Sequence, residues 1–305
     1  MSKYEVIIIG GGPAGLAAGL YTSRAGLKSL LLERGMFGGQ MVNAALVENY
    51  PGFPQGISGG ELGSLMHQQA LSYGLDTITA EATAITGIQP LSVSTSEDTF
   101  EASSAIIAAG SKYRKLEVPG EESLSGHGVS YCATCDGFFF RGKEVAVIGG
   151  SDTALSDALE LSRHVNKVYV VHRRDQLRAG KVLQQKAFDQ PKVEFIWNSV
   201  VDGILGEELV TGVRLRDTKT GKLTALNVAG VFVAIGSTPN SQWLSGIVEI
   251  DDAGYVVTDQ AMTTSTEGIF AAGDIRRNSP RQIAAAVGDG ATAAISAFKY
   301  LQATG

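Results

Sequence analysis

Both cysteines of the chain lie in one short stretch, Tyr131-Cys132-Ala133-Thr134-Cys135-Asp136-Gly137. Two thiols with two residues between them can close a small disulfide that reopens readily. The carboxylate of Asp136, next in the chain, can handle the proton that thiol–disulfide exchange moves. In a chain with βαβ patterning this spacing reads as a redox dithiol. A zinc site is the competing use of paired cysteines, but it needs about four ligands, and only His127 lies close in sequence. A redox dithiol needs an electron supply, and two other stretches of the chain are suited to provide one.

The first is at the start. Glu5–Ile9 is an apolar, β-branched run that reads as a buried strand. Gly10-Gly11-Gly12-Pro13-Ala14-Gly15 follows, then an amphipathic helix to about Arg24 and a strand at Leu30–Leu32 ending in Glu33. In this context Gly10 makes the tight turn, Gly12 lets backbone approach a pyrophosphate, and Gly15 lets helix and strand pack closely. Glu33 is placed to accept hydrogen bonds from a ribose 2′-hydroxyl. An ordinary glycine turn is the alternative, but strand, helix and acid are all in register for a bound dinucleotide.

The second repeats the first at a constant offset. Glu144-Val145-Ala146-Val147-Ile148-Gly149 matches Glu5-Val6-Ile7-Ile8-Ile9-Gly10. Gly149 then aligns with Gly10, Ser151 with Gly12, Ala154 with Gly15 and His172 with Glu33. Where the first unit has an acid, the second has His172-Arg173-Arg174, with Arg178 four positions on. An acid suits a bare ribose, whereas clustered arginines suit a 2′-phosphate. Charge-assisted hydrogen bonds contribute about 1.5–3 kcal/mol each, so two would favour NADPH over NADH by roughly 10²- to 10⁴-fold. A solvated charge cluster at a strand end is the bland alternative. Ser151 is a departure: a small side chain stands where backbone should meet the pyrophosphate, though its hydroxyl can hydrogen-bond phosphate.

The intervening and following segments read as support. Gly38-Gly39-Gln40 and Glu48-Asn49-Tyr50-Pro51-Gly52 are loop-like, and a helix is expected over about 60–73. Ala105–Ala109 and Val231–Ile235 are buried strands that end in Gly110 and Gly236, where a cofactor can approach. Strands are also expected near 77–95, 193–197 and 210–228. Gly268-Ile269-Phe270-Ala271-Ala272-Gly273-Asp274 is a strand whose terminal carboxylate could reach a second sugar or cap a helix; the motif alone does not decide. Arg281-Gln282 and a small-residue helix to about Leu301 close the chain. His67 and His164 sit on helical patterns as packed or surface residues, and Glu121-Glu122 reads as a solvated loop pair.

Composition narrows the partners. With 305 residues the chain suffices for two domains of ordinary size. Its net charge is −6 and its only basic cluster is the arginine group, so neither nucleic acid nor an anionic membrane is an expected partner. The apolar run Val6–Leu20 looks like a leader, but Glu5 and the glycines contradict that, and folded structure is expected instead. No apolar stretch reaches the roughly 18 residues a membrane span needs. Two cysteines and no disulfide framework suit a reducing, cytoplasmic setting.

Taken together, Gly10–Gly15, Cys132-Ala133-Thr134-Cys135-Asp136, Gly149–Ala154, His172-Arg173-Arg174 with Arg178, Gly268–Asp274 and Arg281-Gln282 resemble the low-molecular-weight thioredoxin reductases over nearly the whole chain. The resemblance implies an α/β fold of two Rossmann-like nucleotide-binding domains, the second inserted into the first. Residues 1–112 and 247–305 would bind FAD, and residues 113–246 would bind NADPH and carry the dithiol. It implies a homodimer, a large rotation between domains, and thioredoxin as the protein disulfide substrate. Cys135 would be the flavin-proximal thiol, Cys132 the attacking one and Asp136 the acid/base. Toward FAD it assigns Gly10, Gly12, Pro13, Ala14, Gly15, Glu33, Arg34, Gly39, Gln40, Asn49, Gly110, Gly273, Asp274, Arg281, Gln282 and Ile283. Toward NADPH it assigns Gly149, Gly150, Ser151, Asp152, Thr153, His172, Arg173, Arg174, Arg178, Ile235 and Gly236. Same-fold alternatives change the donor (ferredoxin, given Ser151) or the acceptor. A redox-sensing flavoprotein, whose dithiol signals rather than turns over, is a further alternative. No metal is expected.

Overall fold

The computed structural model describes residues 3–44 and 46–304. The chain divides into two compact units, Met1–Lys112 with Thr238–Gly305, and Tyr113–Ser237. Each is a Rossmann-like α/β layer, and the second interrupts the first.

The first unit begins with β1 (Lys3–Ile9), α1 (Pro13–Arg24) and β2 (Ser29–Glu33). It continues through α2 (Gly59–Ser72), β3 (Asp76–Thr79), β4 (Ala84–Thr86), β5 (Leu91–Ser94), β6 (Thr99–Ile107) and β7 (Ser111–Tyr113). The strands order as β3-β2-β1-β6-β5-β4. β3, β2, β1 and β6 run parallel, while β5 pairs antiparallel with β6 and β4 antiparallel with β5. Val6, Ile7, Ile8 and Leu30–Leu32 are buried on both sheet faces, which explains why β1 and β2 read as unbroken apolar runs rather than alternating ones. α1 opens with Pro13, whose fixed φ suits a first helical turn. Ser58 Oγ caps α2 by accepting the Glu61 amide at 3.2 Å.

The inserted unit holds β8 (Val129–Ser130), α3 (Ala133–Asp136), β9 (Glu144–Ile148), α4 (Asp152–Leu161), β10 (Lys167–Val171), α5 (Lys181–Phe188) and β11 (Val193–Ile196). Then come β12 (Ser199–Gly206), β13 (Val210–Asp217), β14 (Leu223–Leu226) and β15 (Gly230–Val233), and β16 (Ser237–Pro239) carries the chain out of this unit. Its main sheet is parallel throughout, in the order β11-β10-β9-β15-β8. β12-β13-β14 form a separate antiparallel sheet whose inner face joins the core of Val201, Val213 and Leu215.

The chain re-enters the first unit at Thr238, earlier than the expected residue 247. The reason is local: the Asn240 amide and side chain donate to Gly110 and Ala109 carbonyls at 3.0 and 2.7 Å, and Leu244 is fully buried in the first unit's core. β17 (Ile269–Ala271) then pairs parallel with β6, and α6 (Ile283–Thr304) packs on α1. The alanines and glycines of α6 permit that packing; a Cβ on Gly290 would stand 2.0 Å from the Ala14 carbonyl oxygen.

Candidate active site

The dithiol is held where β8 gives way to α3. Ser130 ends β8 in register with Phe232 of β15, so the sheet fixes where the next residues begin. Cys132 is the extended residue that starts α3, and its Sγ accepts the Cys135 amide at 3.2 Å. One helical turn brings the two cysteines to a Cα separation of 5.3 Å, and they are joined as a disulfide. Cys135 is exposed and Cys132 half-buried. The buried Ser130 hydroxyl accepts the Cys132 amide at 3.0 Å and donates to Asp136 Oδ2 at 2.6 Å. Burial pushes the Asp136 carboxyl up from the usual range, and the Ser130 hydrogen bond opposes that shift in part. Two aromatic residues beside the dithiol, Phe138 and Phe139, stay exposed, whereas Phe140 turns inward onto Phe232 with ring centres 5.2 Å apart.

The first glycine turn shows what each glycine is for. Gly10 has φ +109°, and a Cβ there would lie 2.4 Å from the Ala108 oxygen; one on Gly15 would lie 1.8 Å from the Gly10 oxygen. Those two close the strand–helix turn. Gly12 differs: the nearest atom to an added Cβ is Gly39 Cα at 4.0 Å. Open space therefore lies before the first turn of α1, where no side chain caps the amides, with Pro13 and Ala14 behind it. That cradle fits a pyrophosphate.

Around the cradle, Glu33 ends β2 half-buried and accepts the Gly11 and Gly35 amides at 2.6 and 2.8 Å. Arg34 points away, into an exposed pair with Glu81 at 3.0 Å. Gln40 donates to the Ser111 carbonyl, and Asn49 Nδ2 donates to Gln282 Oε1 at 3.1 Å, just ahead of Ile283 at the start of α6. Gly110, with φ +65°, follows β6 beside the strand end that Asn240 holds.

After β17, Asp289 of α6 accepts the Gly273 amide at 3.1 Å and pairs with Arg276 at 2.9 Å. This fixes the turn that carries Asp274, which accepts the Ser279 hydroxyl at 3.0 Å. Burial pushes the Asp274 carboxyl up. Arg281 donates to the Tyr255 hydroxyl at 2.9 Å, while its Nε is buried without a hydrogen-bond partner among the described residues. A buried orphan donor beside the turn that carries Asp274 is the kind of group a bound phosphate or sugar would satisfy.

The second glycine turn is built alike. A Cβ on Gly149 would stand 2.4 Å from the Ala234 oxygen, and Ala154 fills the third glycine position fully buried. Ser151 precedes α4 and makes no capping bond, so its hydroxyl is not spent on the helix. Asp152 and Thr153 lie exposed in the first turn. Residues 178–180 are strapped onto this turn. The Arg178 and Ala179 amides donate to the Gly150 oxygen at 2.8 and 3.2 Å, and the Gly180 amide donates to Asp152 Oδ1 at 2.8 Å. Residues 172–180 are irregular, so Arg178 reaches the cradle through this strap, not along a helix. Arg173, Arg174 and Arg178 are exposed and form no ion pair among the described residues. Ile235 and Gly236 follow β15 nearby in sequence, and the Gly236 oxygen accepts the Arg114 amide at 3.0 Å.

His172 is unlike its neighbours. Its ring is buried and presses on Gly150, where an added Cβ would be 2.4 Å away, and Nε2 lies 3.0 Å from the Gln176 oxygen. Burial lowers its pKa, so it stays neutral. It shapes the loop, and the arginines carry the charge.

The sequence pattern of the pyridine nucleotide-disulphide oxidoreductases matches residues 4–290. The chain is 48% identical to a thioredoxin reductase of Listeria monocytogenes, across 98% of this chain and 94% of the relative. The chain belongs to this family, among the low-molecular-weight thioredoxin reductases. A bifunctional thioredoxin reductase/thioredoxin of Mycobacterium leprae is 47% identical over 98% of this chain and 66% of its own length. The crystal structure of thioredoxin reductase from Streptococcus pyogenes matches with TM-score 0.95 and 44% identity, over 99% of each chain. No helix among the described residues is long and apolar enough to cross a membrane.

Two residues of the dithiol region carry no signal in the sequence. Ser130 is a small hydroxyl residue at a strand end, which nothing in its spacing distinguishes. Glu121, expected to be solvated beside Glu122, is 2% exposed. It accepts the Leu116 and Glu117 amides at 2.9 and 2.7 Å and the Tyr131 hydroxyl at 2.9 Å. Three donors compensate its burial, which an acid pair in a sequence cannot reveal.

Proposed function

We propose that this protein is a thioredoxin-disulfide reductase that carries electrons from NADPH through FAD to the Cys132–Cys135 pair and on to thioredoxin. The observation that carries this reading is the disulfide at the start of α3, with Asp136 held beside it by Ser130 in a unit that also contains the second nucleotide cradle. The first cradle, with Gly12, Glu33, Asn49, Asp274, Arg281 and Gln282, suits FAD; the second, with Ser151, Arg173, Arg174 and Arg178, suits NADPH. FAD, when bound, supplies the hydride and electron chemistry that a protein side chain cannot.

The chain's own residues perform the exchange. Two electrons and two protons open the Cys132–Cys135 bond and leave a dithiol, from which Cys132 then loses its proton. The Cys132 thiolate attacks one sulfur of the thioredoxin disulfide, forming a mixed disulfide and releasing one thioredoxin sulfur as thiolate. Asp136, whose raised carboxyl keeps its proton better than a solvated aspartate, supplies a proton to that leaving group. The Cys135 thiolate then attacks Cys132 Sγ, which closes the internal disulfide and frees thioredoxin with both sulfurs reduced. Exposed Phe138 and Phe139 give a partner protein an apolar foothold next to the reacting sulfurs. A homodimer in a reducing, cytoplasmic setting accompanies this reading on the same family resemblance.

The test uses the flavin-loaded protein with NADPH and thioredoxin. Cys132→Ser is expected to keep anaerobic flavin bleaching by NADPH and to lose thioredoxin reduction. A mutant that still reduces thioredoxin would overturn the assignment of Cys132. A wild-type protein that performs one stoichiometric reduction and stops would favour a redox sensor instead.

A further inference from the structure

We propose that Ser130 is a positioning residue for the dithiol chemistry: its hydroxyl holds the Asp136 carboxyl and the Cys132 amide in one arrangement, so that the leaving thiolate meets its proton at a fixed point. The proposal rests on the reading of Asp136 as acid/base given above and adds the residue through which that group is aimed.

The geometry leaves the hydroxyl little choice. Ser130 is 5% exposed, and its backbone is fixed by the parallel pairing of β8 with β15. The Cys132 amide occupies an acceptor site of the oxygen at 3.0 Å. The one hydroxyl proton then has two acceptors in reach, Asp136 Oδ2 at 2.6 Å and the Cys132 carbonyl at 3.4 Å. The shorter bond, to the carboxyl oxygen, wins. One oxygen thus bridges the backbone of the attacking cysteine and the carboxyl of the proton donor, across the turn that contains both thiols.

The electrostatics agree with the geometry. Burial disfavours the Asp136 carboxylate, and the Ser130 hydroxyl is the group that restores part of its stability. α3 packs on α4, whose ionisable groups are Asp152, Asp157 and Glu160, and on the turn at 137–140, which has none. None of these acids enters the causes of the Asp136 shift. Once reduced, Cys132 and Cys135 add two titrating thiols within four residues of Asp136. Removing the hydroxyl leaves burial unopposed, so Asp136 holds its proton to higher pH.

The experiment uses the full chain with FAD bound, its dithiol reduced and excess reductant removed. It is mixed with hydroxyethyl disulfide, whose leaving thiolate is basic enough to need a proton, and the single-turnover rate is followed across pH. This readout does not depend on thioredoxin being the partner. In the wild type the rate rises with Cys132 ionisation and falls as Asp136 loses its proton. Asp136→Asn is expected to abolish the falling limb. Ser130→Ala is expected to move that limb upward by about one pH unit, the size of one hydrogen bond to a charged group. Ser130→Thr should restore it, and Ser130→Ala added to Asp136→Asn should change nothing further. A falling limb that Asp136→Asn abolishes but Ser130→Ala leaves in place would overturn the role of Ser130 alone. A profile that Asp136→Asn leaves unchanged would overturn the acid/base reading of Asp136 and this proposal with it.

Discussion

Glu121 and Tyr131 share a hydrogen bond of 2.9 Å between a buried carboxylate and the phenol of the residue that precedes Cys132. The same carboxylate accepts the Leu116 and Glu117 amides, and Glu117 has φ +59°, a strained conformation for a non-glycine residue. Tyr131 also stacks on Tyr113, with ring centres 5.3 Å apart. Glu121 therefore ties the start of the inserted unit to the approach to the dithiol. Burial first, and then the Glu121 hydrogen bond, push the Tyr131 phenol well above the usual tyrosine range, so it remains a donor through alkaline pH.

Replacing Glu121 with Gln places an amide donor where backbone donors already point. The expected cost is about 1–3 kcal/mol, and the local amides should open more readily. Native-state hydrogen exchange at Leu116 and Glu117 should accelerate by roughly 10- to 100-fold in Glu121→Gln, with a smaller change in Tyr131→Phe. Unchanged protection would mean that Glu121 is a passenger in its pocket.

The three exposed arginines next to the second glycine turn predict a specific kinetic defect. Arg173→Ala, Arg174→Ala or Arg178→Ala should each weaken NADPH use by roughly 10- to 100-fold where the arginine removed is one that hydrogen-bonds the 2′-phosphate. Flavin bleaching by NADH should change little in the same variants. Anaerobic mixing with each nucleotide separates the cases, because an equal loss with both would point to general damage of the loop. Arg178 is the variant to compare most carefully, since its main chain also straps onto Gly150.

Gly12 and Gly15 belong to one motif but should fail differently. A Cβ on Gly12 meets nothing closer than Gly39 Cα at 4.0 Å, so Gly12→Ala should fold normally and lose flavin, because the methyl occupies the space left for a pyrophosphate. A Cβ on Gly15 meets the Gly10 oxygen at 1.8 Å, so Gly15→Ala should be unstable before any question of binding arises. Visible flavin absorbance per unit protein, read beside thermal unfolding, distinguishes the two. A yellow Gly12→Ala protein would show that the cradle is used for something else.

The repeated glycine turns, both dinucleotide-type strands and the cysteine pair could be read from the sequence because each depends on residues close together in the chain. Gly10, Gly15 and Gly149 are needed by turns only a few residues long, and β1, β2 and β9 announce themselves as apolar runs. What depends on distant packing could not be read. The burial of Glu121 follows from a turn that brings three donors around it, and the neutral, structural part played by His172 follows from a glycine beneath its ring. The return crossing at Thr238 is set by Asn240 hydrogen bonds to Ala109 and Gly110, more than a hundred positions away in sequence. Helix α5 is short and polar overall, with Ala187 its buried residue, so its sequence does not stand out from loop.

Asp157 offers a stability test independent of catalysis. It lies on α4 in the inserted unit, and burial pushes its carboxyl up to about 6 with no hydrogen-bond or ion-pair partner among the described residues. The folded chain therefore binds this proton more tightly than the unfolded chain, whose aspartate titrates near about 3.9. Its favourable contribution is complete below the unfolded value and is lost as pH rises toward about 6. Above that, the ionised group is a standing cost of about 1–3 kcal/mol, the upper figure being a two-unit shift and the lower allowing for partial solvation. Asp157→Asn should unfold at higher temperature than wild type at pH 7–8, with the difference shrinking toward about pH 4, where the folded aspartate is neutral and the unfolded one about half protonated. Thermal unfolding over this range at fixed ionic strength checks it: curves that stay parallel at every pH would show that the aspartate ionises freely and that its burial costs nothing.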